Sequence, residues 1–236
     1  MVKIGRDRKI MNTRARLLTL AAVLGLALAG AAEAASVAPK LIETPAAAPG
    51  EAMAVLYSGD GGWGPLDQGV AKVLAKDGVP VLGFNSLRYF LDKRPPQALA
   101  DDLADQLRSH QAKWDRRKIV LVGYSFGADA LPAIVPLLPA DLRDQIQSVV
   151  LIGAGPHGDL TFRPASWLNR PTAHSFPVAP AVEAMKGLPM TCIYGDKERL
   201  DICPSLPIRQ VKLRGGHHFN GDYAGLGQAV AQAASL

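Results

Sequence analysis

The sequence predicts an α/β fold, a mostly parallel sheet with helices on both faces. Three observations carry this expectation. Short, continuously apolar runs recur along the chain, as at Lys118–Gly123 (KIVLVG) and Ser148–Ile152 (SVVLI). Longer amphipathic stretches separate them, and strands that lack polar alternation are those covered on both faces. The 236-residue chain leaves about 186 residues after position 50, enough for one such domain, and shows no internal repeat.

The elements follow in order. Ala52–Ser58 (AMAVLYS) reads as a buried strand, followed by a glycine-rich turn, Gly59-Asp60-Gly61-Gly62-Trp63. Asp67–Lys76 has helical period, and Pro80–Phe84 is a second strand. Pro96–Trp114 places Leu99, Leu103, Leu107 and Trp114 among charges, the pattern of a helix lying on a sheet. After the Lys118–Gly123 strand, Ala128–Leu138 reads as a helix interrupted by Pro132 and Pro136. Strands at Ser148–Ile152, Met190–Tyr194 and Arg209–Leu213 follow, and Gly221–Ala234 closes the chain as a helix. Between them, Pro156–Ala181 is long, Pro-rich and irregular, the character of a lid or binding loop or of a surface connection held by a few apolar anchors.

The N-terminus reads as an address. A basic stretch is followed by the apolar run Leu17–Ala29 and by Ala32-Glu33-Ala34, the three parts of a secretory signal with a cut expected after Ala34. The run is too short to span a bilayer. No Cys lies near the cut and no twin Arg precedes it; Met11 is an alternative start that keeps Arg14 and Arg16. Residues 35–50 are Ala/Pro-rich and read as a tether, so the expected division is signal 1–34, tether 35–50 and domain 51–236. The first 34 residues hold a net charge of +4 of the chain's +5, leaving the remainder nearly neutral. A general nucleic-acid footprint is excluded on that basis, and 48% hydrophobic and 20% charged residues exclude disorder, collagen and coiled coil. The only two cysteines, Cys192 and Cys203, are spaced to close a short loop in an oxidising compartment. Such a bridge is worth about 3 kcal/mol on chain-entropy grounds.

Gly123-Tyr124-Ser125-Phe126-Gly127 is G-x-S-x-G between an apolar strand and a helix. A serine on that turn is held out at the C-terminal edge of the sheet as a nucleophile. Its base is expected late in the chain, in Gly215-Gly216-His217-His218-Phe219. The fourth position of this glycine loop, before the aromatic, favours His218 over His217, which would then hold the loop. A metal site from His217, His218 and Asp222 is a weak reading, because adjacent side chains diverge. The acid is expected after the Met190–Tyr194 strand; Glu198 has the best spacing, with Asp196 and Asp201 as alternatives and the losers as solvated loop charges. The oxyanion donors are the N–H of Phe126 and that of Asp60 or Gly61 in the glycine-rich turn. No metal or organic cofactor is implied.

Together SGDGGW (Ser58–Trp63), NSLRYF (Asn85–Phe90), GYSFGAD (Gly123–Asp129), CIYG with its downstream Cys203, and GGHHFNGDY (Gly215–Tyr223) resemble the VirJ/AcvB family of bacterial virulence proteins. That resemblance implies an α/β-hydrolase fold and export to the periplasm. It also implies hydrolysis of aminoacylated phosphatidylglycerol, the lysyl form above all, with links to virulence and type IV secretion. The implied partners are a phospholipid at the membrane surface and secretion-system components. Arg88 is then expected to pair with the lipid phosphate, and the Asp60 side chain to face the ammonium. Where family members tend to carry Asp-Ser before the second cysteine, this chain has Leu200 and Asp201. The alternatives are an esterase or thioesterase of other specificity, or a periplasmic secretion-accessory protein without turnover.

Overall fold

The computed structural model describes residues 40–162 and 171–236. The signal expected at residues 1–34, and Trp167 and Leu168 of the Pro-rich insertion, lie outside the described residues. The strands are β1 (Leu41–Thr44), β2 (Ala52–Tyr57), β3 (Val81–Phe84), β4 (Lys118–Tyr124), β5 (Ile146–Ile152), the short ribbon β6 (His157–Gly158) and β7 (Phe176–Pro177), β8 (Met190–Gly195) and β9 (Arg209–Leu213). The helices are α1 (Pro65–Lys76), α2 (Ser86–Tyr89), α3 (Pro96–Trp114), α4 (Phe126–Ile134), α5 (Ala140–Arg143), α6 (Val178–Glu183) and α7 (Tyr223–Ala233). Seven strands form one sheet in the order β1-β3-β2-β4-β5-β8-β9, and only β1 runs antiparallel to its neighbour.

The apolar strands are explained by the two layers that cover them. Successive side chains of a strand point to opposite faces. Val55 and Leu121 therefore pack with Leu99, Leu103 and Leu107 of α3 and with Leu131 of α4. Their neighbours Leu56, Val120 and Val122 pack with Val70 and Leu74 of α1 and with Leu226 and Val230 of α7. Every residue of β2 is buried. A strand with two such faces has no position for a polar side chain.

Three expectations need correction. The tether contains β1, whose Leu41–Thr44 pair with Val81–Phe84 and extend the sheet by one strand. A four-residue strand between Pro39 and Pro45 is too short to stand out by pattern. The helix expected from Ala128 begins at Phe126, directly after Ser125, and gives way to a 3₁₀ turn at Val135–Leu137, because Pro136 has no N–H to continue the ladder. The Pro-rich insertion is partly regular: β6 and β7 pair, and α6 starts inside it. Among the described residues, no helix is long and apolar enough to cross a membrane.

Candidate active site

β4 ends at Tyr124, and the chain turns through Ser125 into α4. Ser125 has φ 51° and ψ −118°, a backbone conformation rare for a residue with a side chain. Such strain costs about 1–3 kcal/mol and persists only where the surroundings dictate it. The flanking glycines are part of that dictation. A Cβ on Gly123 would lie 2.5 Å from the Gly127 carbonyl oxygen, and one on Gly127 would lie 2.3 Å from that of Tyr57. G-x-S-x-G is thus a steric requirement of this turn.

Across the sheet edge, His217 Nε2 lies 2.8 Å from Ser125 Oγ. His217 Nδ1 lies 3.6 Å from Glu198 Oε2, an ion-pair distance longer than a hydrogen bond. Glu198 Oε1 accepts from the N–H groups of Arg199 at 2.9 Å and Leu200 at 3.1 Å, which fixes the carboxylate behind the imidazole. Burial lowers the His217 pKa and so favours the neutral ring, partly opposed by the Glu198 charge.

The structure therefore puts His217, not His218, beside Ser125. The turn closed by the Phe219 N–H on the Gly216 carbonyl places both histidines at its corner, where adjacent side chains diverge. Asp196 Oδ1 accepts from the Gly215 N–H at 2.8 Å and ties this turn to the acid loop. Counting positions from the glycines could not show which corner residue faces inward. His218 is exposed, and its Nδ1 lies 2.9 Å from the Tyr124 hydroxyl, itself 3.3 Å from the His217 carbonyl oxygen. With Nδ1–H donating to the hydroxyl and the hydroxyl to the carbonyl, His218 braces the backbone of His217. The two roles are exchanged relative to the expectation. Asp222 is spent as the N-cap of α7, accepting from the Gly225 N–H.

Of the three candidate acids, Glu198 is the one beside the base. Asp196 is a brace between loops. Asp201 is not a solvated loop charge: its Oδ1 accepts from the Cys203 N–H at 2.8 Å, its Oδ2 is buried without a partner, and burial raises its pKa to about 6. The disulfide Cys192–Cys203 closes the loop that carries Glu198 and Asp201 and anchors it to β8. On the other side, the Gly62 N–H bonds the Gly59 carbonyl, leaving Asp60 and Gly61 at the corner of the turn facing Ser125. Phe126 is the first residue of α4, so its N–H has no partner within the helix. Ser58 Oγ accepts from the Ser86 N–H at 2.9 Å and holds this turn to the start of α2.

These groups open into a cleft of about 670 Å³ whose wall, among the described residues, includes five carboxyls, Asp60, Asp67, Asp129, Glu198 and Asp201, and no Lys or Arg. A second, smaller hollow meets it at Ser125 and is walled by Pro156–Asp159, Thr172 and Ser175, so the insertion contributes to the site. Arg88 lines neither hollow. It sits on α2, whose inward faces belong to Ser86 and Tyr89. Asp67 and Asp129 were not anticipated; the available signal for Asp129 was its position four residues after Ser125 at the start of a helix.

Asp67 gives a test of the fold. It is 2% exposed, and burial pushes its pKa up to about 7, from an ordinary value of about 3.9. A raised carboxyl pKa means that the folded state keeps a proton the unfolded chain releases, so stability falls as pH rises from about 4 to 7. Asp67→Asn removes that dependence while leaving an oxygen for the Gly64 N–H, which Asp67 Oδ2 accepts at 2.9 Å. The variant is expected to melt several degrees above the parent at pH 8 and close to it at pH 4.5. An equal difference at both pH values in calorimetry would refute the assignment.

Fold and site together define an α/β-hydrolase fold with a Ser–His–Glu arrangement at its nucleophile turn. The chain belongs to the VirJ family: the model for "Bacterial virulence protein (VirJ)" matches residues 51–235. No curated protein matches it. Among solved structures it is similar to Est1E from Butyrivibrio proteoclasticus with ferulic acid bound (11% identity, TM-score 0.55, covering 81% of this chain and 92% of that one). It is also similar to the esterase domain of a Rhodothermus marinus protein (16%, 0.57, 84% and 99%). A third is an alpha-beta serine hydrolase homologue from Coxiella burnetii (14%, 0.54, 81% and 89%). At these identities the likeness establishes the shared fold.

Proposed function

We propose that the protein is a serine hydrolase of carboxylic esters, and that its substrate is the aminoacyl ester of aminoacyl-phosphatidylglycerol, with the lysyl form foremost. The observation that carries the hydrolase reading is the 2.8 Å contact between His217 Nε2 and Ser125 Oγ on the strained turn. Ser125 Oγ attacks the ester carbonyl while its proton passes to His217 Nε2. Glu198 stabilises the imidazolium. The N–H of Phe126 and that of Asp60 or Gly61 receive the oxyanion. Collapse breaks the bond to the glycerol oxygen, which leaves with the proton from His217. Water then enters, His217 removes its proton, and the acyl–serine bond breaks to release the amino acid and free Ser125.

Two things support the aminoacyl substrate. One is membership of the VirJ family. The other is a cleft rich in carboxyls and, among the described residues, without Lys or Arg, suited to a cationic acyl group. The lipid phosphate then stays outside that wall, where Lys197 and Arg199 of the acid loop, both exposed, are candidates to meet it beside Arg88. The signal-like N-terminus supports a periplasmic location, where such a lipid and the components of a secretion system are met. An ester of other kind is the second reading, favoured by the likeness to Est1E with ferulic acid bound.

Purified protein mixed with lysyl-phosphatidylglycerol in detergent micelles is expected to release free lysine and phosphatidylglycerol. Labelling of Ser125 by a fluorophosphonate without release of lysine would leave a hydrolase of other specificity. Neither labelling nor release would point to a binding protein.

A further inference from the structure

Resting on the hydrolase reading, we infer that Asp129 is the residue that selects aminoacyl esters, by taking the α-ammonium group of the acyl part. In an aminoacyl ester the α-nitrogen is two bonds from the carbonyl carbon, about 2.5 Å away. A carboxylate that bonds it must therefore stand beside the nucleophile. Asp129 stands in the first turn of α4, and its N–H bonds the Ser125 carbonyl at 3.0 Å, which ties it to the turn that carries the serine. The two hollows that meet at Ser125 are both lined by Asp129.

The carboxyl is also held ready. Asp129 Oδ1 accepts from the Gly155 N–H at 2.7 Å, which fixes the group and leaves Oδ2 for a ligand. Glu198 is committed to His217, and Asp60, which lines the same hollows, is left for a side-chain ammonium such as that of a lysyl group.

A second observation points to a cationic ligand here. Asp67 is 2% exposed, lines the same cleft, and its Oδ1 has no hydrogen-bond donor. Asp201 Oδ2, also buried in this wall, has none. A buried carboxyl oxygen without a donor is met either by keeping a proton, as Asp67 does below about pH 7, or by a cation that favours the ionised form. The burial that raises the Asp129 pKa is offset when an ammonium ion arrives, because a nearby positive charge favours the carboxylate. A metal ion is a poorer match. Among the described residues, the only three metal-ligand side chains within 4.8 Å of one another are Cys192, Asp201 and Cys203, and both sulfurs are in the disulfide.

The test compares L-alanine p-nitrophenyl ester with p-nitrophenyl propionate, which differ by the α-ammonium alone. The quantity read is the ratio of their kcat/KM values after subtraction of spontaneous hydrolysis. That ratio is expected to fall about 10-fold or more in Asp129→Asn, the loss of one charge-assisted contact. Asn keeps an acceptor for the Gly155 N–H, and Asp129→Ser is read in the same way if Asn impairs folding. An unchanged ratio, including equal losses on both esters, overturns the assignment and leaves the hydrolase reading intact. No hydrolysis of either ester by the parent protein, together with no fluorophosphonate labelling, overturns the hydrolase reading itself.

Discussion

Ser125→Ala is expected to lower kcat for ester hydrolysis by at least ~10³-fold, the order seen when the nucleophile of such a triad is removed. The loss should come without unfolding. The Ser125 hydroxyl faces the cleft and His217, and it makes no contact that supports the core. The backbone strain at φ 51° is set by Gly123, Gly127 and the crossing of β2, and it stays in the variant. The melting temperature should therefore be equal to that of the parent or slightly higher, as when a site built for chemistry gives up a polar group. Fluorophosphonate labelling should vanish in the same protein. Turnover within about tenfold of the parent, in a preparation whose purity excludes contaminating esterases, would end the serine-hydrolase reading.

Much of this site was legible because its parts depend on local rules. G-x-S-x-G between a strand and a helix has one steric meaning, and the order of serine, carboxylate and histidine follows from the order of strand ends in the sheet. The sheet itself was visible in continuously apolar runs. What escaped depends on contacts between distant segments. β1 is a strand only because β3 offers it an edge. The choice between His217 and His218 rests on how the Gly216–Phe219 turn seats against the acid loop through Asp196 and Gly215, a contact nineteen residues apart in sequence. Arg88 looked placed for a substrate because it follows a strand, yet the short helix it belongs to turns Ser86 and Tyr89 inward instead. Asp129 is within the GYSFGAD segment, but its place in the cleft depends on the loop at Gly155 that bonds its carboxyl, twenty-six residues away in sequence.

The two histidines separate these readings most sharply. His217→Ala is expected to match Ser125→Ala in severity, since members of a triad act as a unit. His218→Ala should cost far less, because His218 acts on the site only through the Tyr124 hydroxyl and the backbone of its neighbour. Tyr124→Phe breaks the same brace and should give a similar modest loss, while the combination with His218→Ala should add little to either. The pH profile distinguishes a base from a brace. His217 must be neutral to accept the serine proton, and burial lowers its pKa from the ordinary 6.5. The activity of the parent should thus rise with pH through an apparent pKa below about 6.5 and stay level above it. Glu198 opposes that lowering, so Glu198→Gln should move the limb to still lower pH while reducing kcat. His218→Ala removes a neighbour that lowers the His217 pKa and should move the limb the other way, to slightly higher pH. A greater loss in His218→Ala than in His217→Ala would reverse the assignment of the base, and an acid limb unmoved by Glu198→Gln would separate Glu198 from the triad.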